Sequence, residues 1–286
     1  MKPVIQHIGF IGAGNMAEAM IGALIDTQAF TPDQILIHDI NAEQCTHLQS
    51  TYGVEAVADN RTLIHKSDIV VFAVKPQSLD SLLADLNNRQ AFVRPEHRRI
   101  FISIAAGVRM AKFQEFIYAG QTEADRHRMP ILRVMPNTPA LVQAGMLALC
   151  GNEYATFDDM EKIKTLLSAM GSVLICTEDK MDAITAISGS GPAYCFYVIE
   201  SIVAAGEKLG LTHDDASQLA IGTFSGAIRL LEKQTEDAET LRRKVTSPGG
   251  TTEAALQIFE NRDLKAAIMS AVFAAAERSR QLSGAE

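Results

Sequence analysis

Short, nearly unbroken apolar runs, each followed by small or turn-forming residues, recur through the first half of the chain. Residues 6–11, 35–39, 69–74, 100–104 and 131–135 each read as a strand, and their lack of polar alternation predicts cover on both faces. The runs end in Gly12-Ala13-Gly14, in Lys75-Pro76-Gln77, in Ala105-Ala106-Gly107 and in Pro136-Asn137-Thr138-Pro139. Helical patterns alternate with them, as in an open α/β sheet whose ligand crevice lies at the carboxyl ends of the strands. A strand over 146–150 and an amphipathic helix carrying Met160, Ile163, Leu167 and Met170 follow, with Gly171 as the stop and a last strand over 173–175. Beyond Thr177 the period becomes helical throughout, predicting helices over 181–209, 213–233, 237–244 and from 252 to the end. The chain thus divides into an α/β region over 1–177 and an all-α region over 178–286.

The first loop carries a ligand signal. Gly12-Ala13-Gly14-Asn15-Met16-Ala17 is a G-x-G-x-x-A turn between a strand and an apolar helix, the setting a dinucleotide fingerprint requires. Gly12 permits the tight turn, Gly14 lets backbone approach a pyrophosphate, and Ala17 is small enough for helix and strand to pack closely. The second strand ends in Asp39, near the spacing of a ribose-binding acid. A carboxylate there accepts from ribose hydroxyls and repels a 2′-phosphate, which favours NAD(H).

A second turn, Val245-Thr246-Ser247-Pro248-Gly249-Gly250-Thr251-Thr252, opens the last predicted helix. A helix start leaves N–H groups unpartnered and carries partial positive charge, so it can receive a small carboxylate without lysine or arginine. Within the helical region, Ser188-Gly189-Ser190-Gly191-Pro192-Ala193-Tyr194 predicts a kink or a break. Ala183, Ala186, Ala193, Ala204 and Ala205 form a smooth face suited to a dimer interface.

Composition narrows the class. A length of 286 residues with 47% hydrophobic and 21% charged residues suits two globular domains. A net charge of −8 argues against nucleic acid, and no apolar run is long enough to span a membrane. Lys2 before an apolar stretch imitates a signal peptide, but His7, Asn15 and Glu18 interrupt it. Cys45, Cys150, Cys176 and Cys195 are scattered, which points to a reducing cytoplasm, and the seven histidines show no metal spacing, so no metal is expected.

Taken in order, Gly9-Phe10-Ile11-Gly12-Ala13-Gly14-Asn15-Met16, Ala73-Val74-Lys75-Pro76, Arg133-Val134-Met135-Pro136-Asn137-Thr138-Pro139, Ser188 through Tyr194 and Val245 through Thr252 resemble the pyrroline-5-carboxylate reductases over essentially the whole chain. The first motif is generic to dinucleotide enzymes, whereas the last two are specific. The resemblance implies a Rossmann dinucleotide-binding domain followed by an all-α dimerisation and substrate-binding domain. It implies reduction of 1-pyrroline-5-carboxylate to L-proline, the last step of proline biosynthesis, with NADP(H), or NAD(H) given Asp39. It implies a homodimer, with five dimers in a decamer, and a substrate site shared between subunits.

Carried onto this chain, the resemblance places Ile11, Gly12, Ala13, Gly14, Asn15 and Met16 around the pyrophosphate, and Asp39 beside the adenosine ribose. Asn60, Ala73, Val74, Lys75 and Pro76 line the cofactor. Ala105, Ala106, Gly107, Met135, Pro136 and Asn137 lie near the nicotinamide, and Ser247, Thr251 and Thr252 meet the substrate. Two positions depart from the family pattern. Members that prefer NADPH often have a serine, or a basic side chain nearby, where Asp39 stands, and some have an asparagine where Lys244 stands.

The expected chemistry is hydride transfer to a polarised C=N bond. The substrate carboxylate docks on the N–H groups of Gly250, Thr251 and Thr252 with help from Ser247, and the Thr252 hydroxyl steers the ring nitrogen. Lys75 reads better as a structural or cofactor-positioning residue than as an acid, because Pro76 fixes its loop. Arg133, inside an apolar strand, reads as a structural charge that must find partners. A β-hydroxyacid dehydrogenase would need a lysine base where this chain has none between Lys180 and Lys208. A regulator that only binds the nucleotide would have no use for the turn at Ser247 to Thr252.

Overall fold

The computed structural model describes residues 5–92 and 97–282. Lys2 and the expected helical continuation over 283–286 lie outside them. The chain forms two compact units, Met1–Gly189 with Ala275–Glu286, and Ser190–Ala274. Residues 178–189 and the last helical turns therefore pack with the sheet.

The first unit is built in chain order from β1 (Ile8–Ile11), α1 (Asn15–Asp26), β2 (Ile35–His38), α2 (Ala42–Tyr52), β3 (Glu55–Ala56), α3 (Asn60–Lys66), β4 (Ile69–Phe72) and α4 (Pro76–Asn88). It continues through β5 (Ile100–Ser103), α5 (Met110–Ile117), α6 (Glu123–Arg126), β6 (Ile131–Met135), β7 (Gly145–Gly151), α7 (Phe157–Leu167), β8 (Gly171–Ile175) and α8 (Met181–Ile184). The sheet order is β3-β2-β1-β4-β5-β6-β7-β8, parallel except where β7 runs against β6.

The unbroken apolar runs are explained by this layering. On one face Ile8, Phe10, Ile35, Ile37, Ile69, Val71, Ile100 and Ile102 pack with Met20, Ile21 and Leu24 of α1, Leu48 of α2 and Ile163 of α7. On the other, Leu36, Val70, Phe72 and Phe101 meet Leu63 of α3, Leu79 and Leu83 of α4, and Phe113 and Ile117 of α5. Phe72 stacks on Phe101 with centroids 6.1 Å apart and tilts against Phe113 at 5.1 Å. Each such fully buried side chain contributes about 1.5–3 kcal/mol relative to exposure.

Register aligns the carboxyl ends of the strands. Ile11 pairs with His38 and Phe72, and Phe72 pairs with Ser103. The chain works outward from β1 to β3 and then returns to lay β4 against β1. The loops after β1 and β4 thus meet at the topological switch point, where such sheets bind ligands.

The second unit contains α9 (Gly191–Lys208), α10 (His213–Lys233), α11 (Ala238–Lys244), α12 (Thr251–Asn261) and the start of α13 (Leu264–Leu282). The expected helix over 181–209 is divided into α8, a π-helical turn over Thr185–Gly189 and α9 with Pro192 in its first turn. The expected single helix from 252 is divided too, because Asp263 has φ 50 and breaks the helix between α12 and α13. Val203 of α9 with Ala216 and Ala220 of α10 forms a small core, and a Cβ at Gly206 would lie 2.9 Å from that of Ala216. Phe196, Tyr197, Ile258, Phe259 and Phe273 remain exposed. A unit with so small a core of its own is a candidate for association.

Candidate functional site

The glycine turn has the geometry its motif predicts. Gly12 has φ +97, and a Cβ there would lie 2.9 Å from the backbone of Ala73. The turn is closed by Gly12 N–H donating to His38 O at 2.8 Å, while Ala73 N–H donates to Ile11 O at 2.8 Å. Ile11 and Ala13 are buried, Gly14 and Asn15 exposed, and Met16 half-buried. Nothing lies within 4 Å of a Cβ built on Gly14. The first helical bond of α1 runs from Glu18 N–H to Gly14 O, so the N–H groups of Asn15, Met16 and Ala17 precede it as donors.

Asp39 lies beside this turn. Its Oδ2 accepts from Ala13 N–H at 2.7 Å and its Oδ1 from Asn41 N–H at 2.8 Å. Asn60 opens α3 behind the Asp59 cap, and its Oδ1 is buried without a hydrogen-bond partner. Lys75 caps α4 ahead of Pro76, with its side chain exposed.

The loops after β5 and β6 are held from behind. Gly107 has φ +70, and a Cβ on it would come 2.8 Å from that of Leu282. The same C-terminal turns are tied to α8 by Ser279 Oγ donating to Asp182 Oδ1 at 2.6 Å. After β6, Asn137 has both ends of its amide occupied. Its Nδ2 donates to Ser188 O at 3.2 Å and Ser188 Oγ at 3.3 Å, and its Oδ1 accepts from Met146 N–H at 3.0 Å. Ser188 Oγ in turn donates to Met146 O at 2.7 Å, and a Cβ at Gly189 would strike Met135. The Ser-Gly-Ser segment is therefore a close-packing device for the Met135-Pro136-Asn137 loop.

Arg133 is 3% exposed. Its Nη1 pairs with Glu178 Oε1 at 3.2 Å, and that oxygen also accepts from Met110 N–H, at 2.7 Å, at the start of α5. The carboxylate thus serves a guanidinium and a helix N-terminus together. The structural charge expected at Arg133 is only partly satisfied, since Nη2 is buried without a partner. Beside it in register, burial pushes the Cys150 thiol up to about 12. Sequence reasoning missed Glu178, and it missed Ser188 as the partner of Asn137. Neither carries a local signal, because their partners lie far away along the chain.

In the second unit, Gly249 has φ +75 and donates its N–H to Glu253 Oε2 at 2.7 Å. Gly250 is the N-cap of α12, with φ −85 and ψ 169. Its N–H donates to Ser247 O at 3.0 Å, which corrects the expectation that this donor is available to a carboxylate. The first helical bond of α12 runs from Ala254 N–H to Gly250 O, so Thr251 and Thr252 keep their N–H groups. Ser247 and Thr251 are exposed and Thr252 is half-buried. Lys244 is drawn to Glu236, with Nζ 2.6 Å from both carboxylate oxygens. Among the described residues, no group of three or more His, Cys, Asp or Glu side chains is placed to hold a metal, and no helix is long and apolar enough to cross a membrane.

Comparison with known proteins gives this geometry its context. Residues 178–282 match the family described as pyrroline-5-carboxylate reductase dimerisation, and residues 7–107 match that described as NADP oxidoreductase coenzyme F420-dependent. The chain is 38% identical to a pyrroline-5-carboxylate reductase of Synechocystis over 96% of its own length and 98% of the relative's. It is 39% identical to that of Pseudomonas aeruginosa, covering 96% of each. The solved pyrroline-5-carboxylate reductase of Coxiella burnetii superposes with a TM-score of 0.84 at 33% identity, covering 98% of this chain and 99% of that one. The Plasmodium falciparum enzyme, solved with NADP bound, gives 0.84 at 29% identity over the same shares. A glycine turn at the switch point, a second turn opening α12 and full-length identity at this level agree: the chain belongs to the pyrroline-5-carboxylate reductase family.

Proposed function

We propose that the chain carries out the reaction of its family, the NAD(P)H-dependent reduction of 1-pyrroline-5-carboxylate to L-proline, through two anion receptors built from main-chain N–H groups. The first is the glycine turn. The open space at Gly14, the N–H groups of Asn15 and Met16 and the unpartnered Oδ1 of Asn60 fit a pyrophosphate with its ribose. Ile11 through Met16 would hold the pyrophosphate, Asp39 the adenosine ribose, and Asn60 with Ala73, Val74, Lys75 and Pro76 the length of the dinucleotide. Ala105, Ala106, Gly107, Met135, Pro136 and Asn137 would shape the nicotinamide end, Asn137 through its ties to Ser188 and Met146. When bound, the reduced nicotinamide supplies a hydride from C4 to the imine carbon.

The second receptor is the turn at Ser247 to Thr252. The N–H groups of Thr251 and Thr252 receive the substrate carboxylate, with the Ser247 hydroxyl as a further donor. Gly250 contributes by having no side chain at the N-cap. A helix start of this kind favours an anion by up to about 2 kcal/mol. The Thr252 hydroxyl hydrogen-bonds the ring nitrogen and orients the imine so that donor and acceptor carbons stand about 3–3.5 Å apart. A threonine alcohol is too weak an acid to be the proton source, so the proton comes from water or arrives on an iminium substrate.

The family's dimerisation region supports a homo-oligomer, and the proposal extends to a decamer of five dimers in which the turn of one copy serves the cofactor of another. The four free thiols support work in the cytoplasm. By the span of the dimerisation match the proposed domain limits are 1–177 and 178–286, although residues 178–189 and the last helical turns pack with the sheet. The observation that carries it is the pair of donors at Thr251 and Thr252, which precede the first bond of α12. The purified chain is expected to consume NADH or NADPH only when pyrroline-5-carboxylate is added, and Thr252→Ala to lower turnover by about tenfold or more. No consumption overturns the function, and unchanged turnover in the variant overturns the role of Thr252.

A further inference from the structure

Glu178 joins two segments that the sequence keeps apart. Helix α5 starts at Met110 behind Arg109, whose side chain makes no capping bond. The N–H of Met110 is taken instead by Glu178 Oε1 at 2.7 Å, across a sequence separation of 68. The same oxygen accepts from Arg133 Nη1 at 3.2 Å. Met110 closely follows Ala105-Ala106-Gly107, and Arg133 lies just ahead of Met135-Pro136-Asn137. One carboxylate oxygen therefore sits between the two loops assigned above to the nicotinamide end.

The geometry asks for reach as well as charge. An ion pair alone tolerates a range of distances, whereas two hydrogen bonds converging on one atom fix their donors relative to each other. Burial sharpens the constraint. The Arg133 side chain is 4% exposed and its Nη2 already lacks a partner, so no loose charge cloud holds it in place. Further ties meet at the same loops, from Ser188 to Asn137 and from Leu282 against Gly107. Glu178, Ser188 and Leu282 all lie in the stretch that matches the dimerisation family, yet they pack with the sheet.

Resting on the dinucleotide reading above, we infer that Glu178 is a positioning residue for hydride transfer: the reach of its side chain, more than its charge, holds the loops after β5 and β6 at the spacing the reaction needs. A misplacement of about 1 Å from a change remote from the chemistry can cost about 10²-fold in rate. Dinucleotide affinity, carried by the glycine turn after β1, is left largely intact.

The test compares Glu178→Gln, Glu178→Asp and Glu178→Ala in the full-length protein. Glutamine keeps the length and an oxygen that accepts from both donors, aspartate keeps the charge but falls one methylene short, and alanine keeps neither. Amide hydrogen exchange without dinucleotide is expected to be at least about tenfold faster at Met110 in Glu178→Asp and Glu178→Ala, and near wild type in Glu178→Gln. With pyrroline-5-carboxylate, kcat should fall at least about tenfold in the first two, with a larger isotope effect from dinucleotide deuterated at the transferred position. In Glu178→Gln it should stay within about threefold, although thermal stability drops because the guanidinium loses its counter-charge. Titrations with NADH and NADPH should change by less than about threefold throughout. A purely structural charge predicts the reverse order, Glu178→Asp better than Glu178→Gln, and that order overturns the inference. So does wild-type kcat in Glu178→Asp, or a loss confined to dinucleotide affinity. Should Glu178→Ala not fold, the other two decide between these outcomes. A wild type without turnover overturns the function proposed above and this inference with it, whereas an active wild type with unaltered variants overturns this inference alone.

Discussion

Gly12 and Gly14 stand two residues apart in one turn, yet the structure gives them opposite requirements, and a single methyl group on each separates them. At Gly12, alanine meets two obstacles. The φ of +97 is disfavoured for an L residue, costing roughly 1–2 kcal/mol. The new Cβ also falls 2.9 Å from the Ala73 carbonyl, backbone that cannot yield as a side-chain end can, adding about 1–3 kcal/mol. The sum of about 2–5 kcal/mol corresponds to a fall in Tm on the order of 10 °C for a unit of this size. At Gly14, φ −75 and ψ −179 suit any residue, and nothing lies within 4 Å of the added Cβ. The restricted unfolded chain gains about 0.4–1 kcal/mol and the poorer N-cap loses a similar amount, so stability stays within about 1 kcal/mol. The methyl nonetheless occupies the approach proposed above for the pyrophosphate. Overpacking of about 1–3 kcal/mol there weakens dinucleotide binding by about 10–100-fold. Thermal unfolding without cofactor, paired with dinucleotide titration, reads both effects. A Gly14→Ala protein that binds like wild type, or that loses as much stability as Gly12→Ala, would refute the reasoning.

Two further outcomes follow from part-buried polar contacts. Arg98 donates to both oxygens of Asp159, at 3.0 and 2.5 Å, and Thr156 caps the same carboxylate at 2.6 Å, so Arg98→Ala is expected to cost about 3 kcal/mol in denaturant melts. Burial opposes ionisation of Asp159, but the hydrogen bonds from Arg98 and Thr156 outweigh it and hold its carboxyl below the ordinary value. The stabilisation is therefore complete above the unfolded value near about 4 and is lost as pH falls through the lower folded one. In Arg98→Ala that acid loss should begin at higher pH, and identical pH profiles would contradict the assignment. Asn137→Asp should cost as much as Asn137→Ala, about 1–3 kcal/mol, because a carboxylate cannot donate to Ser188 O; urea midpoints for the two variants check this.

What the chain disclosed beforehand, and what it hid, divides along physical lines. The runs over 69–74 and 100–104 were legible because a strand covered on both faces tolerates no polar alternation, and the glycine turn because its φ and close approach demand glycine. The reversed direction of β7 was not read, although the connection from Met135 to Gly145 is too short for the crossover that parallel strands need. The break at Asp263 carries no glycine or proline, so the helical period runs through it unmarked. Arg133 announced that a partner must exist, but Glu178 could be found only once the fold brought the two together. The spent N–H of Gly250 was equally invisible, being a property of turn geometry and not of residue type.

Backbone amides at the head of α12, not a side-chain cation, are proposed to hold the substrate's acid group. A crystal structure of the protein with L-proline bound tests it most directly. The proline carboxylate is expected to accept hydrogen bonds from the N–H groups of Thr251 and Thr252, with the ring nitrogen next to the Thr252 hydroxyl. Proline seated away from this turn, or its carboxylate gripped by Lys244 in place of the main chain, would contradict it.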